Sequence, residues 1–255
     1  GYFSYKIIDE GGKLNINRVT HIDNRPGSPY QTLRKLFLDS GVNADVQIDI
    51  IMDSILDWRD ANSEHHLNGA EDEWYESNYQ EQGFDHPYKA KNNPFDNVEE
   101  LLMVRGITRE ILYGTARARE LFGPEAVSGK DEDDVTYSGV YDNLSSFNVS
   151  QKVNENTASE ELIRAAYPDE QSEEILDQRY QNNGRYNDRQ MSSYFTIIST
   201  GYLKGSDSQH TVRATVWRGR RANWARIRID HWLDNEISES VDRGVSADQT
   251  GTPEQ

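Results

Sequence analysis

Tyr2-Phe3-Ser4-Tyr5-Lys6-Ile7-Ile8-Asp9-Glu10 opens the chain, and Tyr194-Phe195-Thr196-Ile197-Ile198-Ser199-Thr200-Gly201-Tyr202 returns the same aromatic and β-branched character far downstream. Such residues suit a pleated, half-buried surface. Gly11-Gly12 and Lys13-Leu14-Asn15-Ile16-Asn17 follow the first stretch, which predicts a β-hairpin turned by the glycine pair. Thr211–Trp217 and Trp224–Ile229 continue the second stretch as a three-strand meander.

Between these strand signals the periodicity is helical. Ser28-Pro29-Tyr30-Gln31 offers an N-cap, a proline at the first helical position and a capping-box Gln, and Gly41 ends that helix. Ile48, Ile51, Met52 and Ile55 recur at spacings of three and four, a buried stripe leading into Asp57-Trp58-Arg59-Asp60. Asp96-Asn97-Val98-Glu99, Gly106 and Thr108 predict a helix, tight turn, helix unit, and Thr157-Ala158-Ser159-Glu160 starts a further helix that Pro168 interrupts. The expected architecture is α+β: a discontinuous β-domain of residues 1–18 and 188–236, an α-helical insertion of residues 19–187, and a disordered polar tail, 237–255. A faint internal echo runs through the insertion. Asn15-Ile16-Asn17 and Asn154-Glu155-Asn156 each lead to helices ending in Ile-Leu-Asp-x-Arg.

Composition excludes several functions. With 27 Lys+Arg against 44 Asp+Glu, the net charge is −17, the wrong sign for displacing counterions from nucleic acid. Zero cysteines remove disulfides, thiolate chemistry and Cys-based zinc sites. No apolar run approaches the roughly 18 residues needed to span a bilayer. The chain opens in mid-pattern, without Met or signal peptide, as an excised soluble part of something longer would.

Each candidate for chemistry has a plainer reading. Asp60-Ala61-Asn62-Ser63-Glu64 and Asn68-Gly69-Ala70-Glu71-Asp72-Glu73 crowd oxygen side chains around a glycine, which suits Ca²⁺, but the spacing is not that of an EF-hand and an acidic chain has solvated acidic loops. His65-His66 lacks a zinc motif and reads as a solvent-exposed pair. Gly123–Lys130 has one residue too many for a phosphate loop. Leu101–Thr108 matches the turn of a helix-hairpin-helix nucleic-acid module, the rival reading, although a packing hairpin is the simpler account at this charge. The Arg218–Arg221 run reads as a solvated or ion-paired sheet edge. No nucleophile elbow or Ser/His/Asp order is present, and a metal-dependent hydrolase built on His65 lacks a motif.

Taken jointly, the opening hairpin with Gly12-Lys13-Leu14-Asn15-Ile16-Asn17, Ile55-Leu56-Asp57-Trp58-Arg59-Asp60, Asn68-Gly69-Ala70-Glu71-Asp72-Glu73-Trp74-Tyr75 and Pro87-Tyr88-Lys89-Ala90-Lys91-Asn92 through Glu99-Glu100-Leu101 resemble the general secretion pathway protein K family, minor pseudopilins of bacterial type II secretion. The resemblance implies a pilin-like β-domain with a large helical insertion and an N-terminal membrane helix upstream of residue 1. It implies a non-enzymatic subunit capping the tip of the periplasmic pseudopilus, complexed with two other minor pseudopilins and anchored in the inner membrane. It also implies calcium in the helical domain, with Asp60, Asn62, Glu71 and Asp72 as ligands and Asp57 and Glu64 behind them. Asn62 stands where some relatives carry an acid, which removes one charge. Any disulfide found in relatives is absent here.

Overall fold

The computed structural model describes residues 1–42, 45–127, 135–147, 152–186, 191–206, 208–221 and 224–234. The expected tail, 237–255, and the expected boundary at 187–188 lie outside them.

Strand β1 (Tyr2–Asp9) pairs antiparallel with β4 (Tyr194–Tyr202), running from Tyr2 opposite Tyr202 to Asp9 opposite Phe195. β5 (Gln209–Arg221) and β6 (Trp224–Asp234) complete an antiparallel sheet of order β1-β4-β5-β6. The meander is as the sequence predicts, and it joins β1 through a very long connection. All helices between β1 and β4 therefore leave and re-enter at the Asp9 end, opposite the end where Tyr2 stacks on Tyr202.

The predicted opening hairpin does not form. Glu10–Gly12 makes a single 3-10 turn, and β2 (Leu14–Asn15) pairs in parallel with β3 (Leu144–Ser145) instead of folding back on β1. Neither Gly11 nor Gly12 has the positive φ that a two-residue hairpin turn requires. The glycines serve close approach: a Cβ on Gly11 would sit 2.1 Å from Ser192 Oγ, and one on Gly12 2.6 Å from Thr157 Oγ1. Asp9 closes this junction by accepting from Gly11 N, Asn154 Nδ2, Thr157 Oγ1 and Ser192 Oγ.

Helices α1 (Pro29–Asp39) and α2 (Asp45–Arg59) follow β2. Ser28 Oγ caps α1 by accepting from Gln31 N, while the Gln31 side chain turns to Asn24 instead of completing a capping box. Ile48, Ile51, Met52 and Ile55 are fully buried, each a gain on the order of 1.5–3 kcal/mol over exposure. The sequence missed α3 (Asp72–Asn78) and α5 (Thr115–Phe122), both short and polar. The helix-turn-helix unit is a five-residue 3-10 segment, Glu99–Met103, followed by Gly106 at φ 84° and α4 (Arg109–Tyr113), capped by Thr108. It is a packing hairpin: Leu101 and Val104 are fully buried, and a Cβ on Gly106 would stand 3.1 Å from Ile51. α6 (Glu160–Ala166, capped by Ser159) and α7 (Asp169–Gln181) end the helical region.

The Asn-x-Asn echo has a shared geometry. Asn15 Oδ1 accepts from Asn17 N and Asn154 Oδ1 accepts from Asn156 N, the same Asx turn twice, each ahead of a helix pair. The second asparagine then reaches a distant backbone: Asn17 bonds both N and O of Phe95, and Asn156 accepts from Tyr186 N. Asn17→Ala should strand the Phe95 amide and lower stability by about 1–3 kcal/mol, read as a lower urea midpoint with unchanged slope.

The two faces of the sheet differ. Thr196, Thr200, Thr211 and Thr215 are buried on one, with hydroxyl pairs at 3.1 Å (Thr196–Thr215) and 2.9 Å (Thr200–Thr211). The opposite face is apolar, because Ile7, Ile197, Ala214 and Trp232 pair in one row and Phe195, Val216 and Ile229 in the next. Ile7, Ile229 and Trp232 are exposed there, as is Tyr5 two residues before Ile7. Of the arginines near the β5–β6 turn, Arg218 lies over Phe195 and Arg228 pairs with Asp230 while stacking on Trp217.

Candidate metal centre

Asp53 and Asp57 stand one helical turn apart on α2, so they share a face, and both are buried. Buried carboxylates need donors, and the loop after α2 supplies them. Asp57 accepts from His66 N at 3.0 Å, and Asp53 Oδ2 accepts from Asn68 N at 3.0 Å and Nδ2 at 3.1 Å. The loop is folded by its own short polar side chains: Asp60 Oδ1 accepts from Asn62 N, and Asn62 Oδ1 accepts from Glu64 N. Arg105 fastens the far side by donating to Asn68 O and Gly69 O while its guanidinium lies 5.0 Å from the Trp74 ring centre.

This folding brings Asp57, Asp60 and His66 together, with one ligand atom of each inside 4.8 Å of the others. His66 Nδ1 is 2.5 Å from Asp57 Oδ1. The cluster can hold a metal ion. Glu71, at the N-cap of α3, is 7% exposed, and neither carboxylate oxygen has a hydrogen-bond partner. Burial first, and then the charges of Asp57, Asp60 and Asp72, push its carboxyl up to about 7. Burial also raises Asp57, against the lowering effect of its bonds from His66.

The predicted ligands are thus placed unequally. Asp60 lies in the cluster with Asp57, and Glu71, outside that set, is near enough to feel the charges of both. Asp72 is engaged elsewhere, accepting from Lys89 Nζ at 2.8 Å and Ala90 N at 3.1 Å, and Asn62 and Glu64 are exposed. The reading of His65-His66 as a solvent-exposed pair holds for His65 and fails for His66, which is half-buried against Asp57. Its distance from Asp57 follows no helical period, and as half of a His pair in a polar loop it gives no signal of its own.

The donor set fits a divalent cation. Carboxylates massed at low exposure repel one another, and two buried oxygens of Glu71 have no proton donor, so a cation would satisfy both deficits. Gly69 makes the approach possible, since a Cβ there would fall 1.7 Å from Asp57 Oδ2. Gly69→Ala should push the loop off α2, at a cost of about 1–3 kcal/mol. Thermal melts with and without metal check this: the variant melts lower and loses most of the metal response.

Comparison with known proteins gives the family context. Residues 12–116 match the family described as type II secretion system (T2SS), protein K. That span contains the cluster and the segments of the resemblance from Gly12 to Leu101, so the resemblance is borne out over these residues. A chain in the crystal structure of the GspK–GspI–GspJ complex from the enterotoxigenic Escherichia coli type 2 secretion system is similar in fold, with a TM-score of 0.57 at 14% identity, covering 92% of this chain and 80% of that one. No curated protein matches the chain. Residues 12–116 thus match a secretion-system family, and the solved chain shares the fold.

Proposed function

We propose that this chain is a minor pseudopilin that caps the tip of a type II secretion pseudopilus, with a calcium-ordered helical lobe inserted into a pilin-like sheet. The reading divides the chain into a β-domain of residues 1–18 and 188–236 and an insertion of residues 19–187. The observation that carries it is the pairing of β1 with β4. That pairing places the departure of the helical segment at the end of the sheet away from Tyr2, so a filament approaching from the Tyr2 end would find a bulky lobe where its next subunit must stack.

The apolar sheet face supports the same assignment. Exposed Tyr5, Ile7, Ile229 and Trp232 form a surface of the kind that marks an interaction site. In this reading a membrane helix upstream of residue 1 covers part of it, holding the domain on the periplasmic side of the inner membrane, and other minor pseudopilins meet the remainder. Purified minor pseudopilin partners should co-elute with this chain in gel filtration. Ile7→Asp together with Trp232→Asp should cost at least about 2 kcal/mol of association, enough to separate the peaks. Separate elution of the wild-type proteins at all concentrations contradicts the tip-complex role.

Calcium is the cation best suited to the centre, because its requirement is for several hard oxygens at relaxed geometry, and the carboxylates of Asp57, Asp60 and Glu71 supply them from α2, the following loop and the start of α3. Asp57, Asp60 and Glu71 would hold the ion. Asn62 and Asp72 would join only by leaving their present partners. The ion would bind the loop between α2 and α3 to the buried face of α2.

A further inference from the structure

We propose that His66 widens the ion range of this centre, so that it also takes transition-series divalent ions such as Mn²⁺, through an imidazole nitrogen that Ca²⁺ does not use. The proposal rests on the reading of the loop as a metal centre given above. His66 is not a bystander there: with Asp57 and Asp60 it forms the set of ligand atoms inside 4.8 Å. Its backbone and ring are both fixed on Asp57, through N at 3.0 Å and Nδ1 at 2.5 Å, and the ring is partly shielded from solvent. Independent of that cluster, Glu71 is 93% buried, from its 7% exposure, with both carboxylate oxygens unpartnered. A site of oxygen donors alone would be expected for an ion that binds only hard ligands. A preset imidazole adds little to Ca²⁺, which takes oxygen ligands, and much to ions that accept nitrogen. His65 is the contrast: exposed, with its ring turned to the His66 carbonyl.

The test uses the purified full chain, stripped with chelator and dialysed. Mn²⁺ is titrated in, and the free ion is followed by its electron paramagnetic resonance signal, with Ca²⁺ as competitor. The wild-type chain should bind Mn²⁺ and release it to excess Ca²⁺. His66→Ala should weaken Mn²⁺ binding about 10- to 100-fold while Ca²⁺ binding stays within about threefold. His65→Ala should change neither. If His66→Ala does not fold by circular dichroism, His66→Asn decides, since it keeps a small polar group beside Asp57 and removes the nitrogen donor. Equal losses for both ions would mean that His66 only holds Asp57 in place, and would overturn the proposal, as would undiminished Mn²⁺ binding in the variant. Ca²⁺ binding without any Mn²⁺ binding sinks this proposal and leaves the calcium reading intact. Mn²⁺ binding without Ca²⁺ binding does the reverse.

Discussion

Saturating calcium should raise the melting temperature of this protein by about 5–10 °C, and chelation should return it to the lower value. The size follows from linkage: an ion that binds only the folded state at about 100 times its dissociation constant adds about 2.7 kcal/mol, and each kcal/mol moves the midpoint by about 2–4 °C in a domain of this size. The physical source is the set of carboxylates on and after α2. Asp57 is fully buried and Glu71 nearly so, and their mutual repulsion with Asp60 has no counter-charge bonded to Glu71. The gain should be local. Limited proteolysis should cut the metal-free chain between Asp60 and Gly69, where exposed residues are held mainly by short side-chain-to-backbone bonds. Calcium should suppress that cut. Unchanged melting and unchanged proteolysis after chelation would remove calcium from the account.

Glu71→Gln has the second large effect, and its sign depends on the metal. Without metal the variant is more stable than the wild type at neutral pH, because an amide carries no charge to bury beside Asp57, Asp60 and Asp72. Burial, with the charges of Asp57, Asp60 and Asp72, raises the Glu71 carboxyl from its ordinary 4.5 to about 7 in the folded protein. A raised acid costs stability in full above the folded value and nothing below the unfolded one. The metal-free wild type therefore gains stability as pH falls from about 7 to about 4.5 through this group, by about 1–3 kcal/mol, and the variant lacks that gain. With calcium the order reverses, since the wild type recovers the cost through the ion and the amide returns only a weak oxygen donor. Melting curves of both proteins at pH 7.5 and pH 5, with calcium and with chelator, read all four states. A variant that melts below the wild type in chelator would show that Glu71 is held by something other than a cation.

Much of this was legible in the residues because the signals were local and strong. The spacing of Ile48, Ile51, Met52 and Ile55 marks a buried helix face, and all four are buried. Ser28 and Thr108 cap helices as their positions predict, whereas the capping box of Thr157 with Glu160 gives way to Ser159, two residues on, because Thr157 is bonded to Asp9. Non-local closeness was not legible. Gly11-Gly12 looks like a turn because glycines usually are turns, yet here they admit Ser192 and Thr157, residues no local window contains. The short helices α3 and α5 are too polar and too brief to show a period. At the centre, the acids could be named from composition and resemblance, but which of them share a space depends on how the loop returns to α2. Lys89, seventeen residues from Asp72, takes one predicted ligand, and His66 arrives through its bond to Asp57.

In the proposed role one copy of this protein would sit at one end of the fibre, its inserted helical lobe leaving no surface for a following subunit. Pseudopili assembled with the full-length protein carrying a small tag beside Leu67, an exposed residue of the loop, can be labelled with gold and imaged by electron microscopy. The account predicts a single label at one end of each fibre. Gold spaced along the fibre length would contradict it.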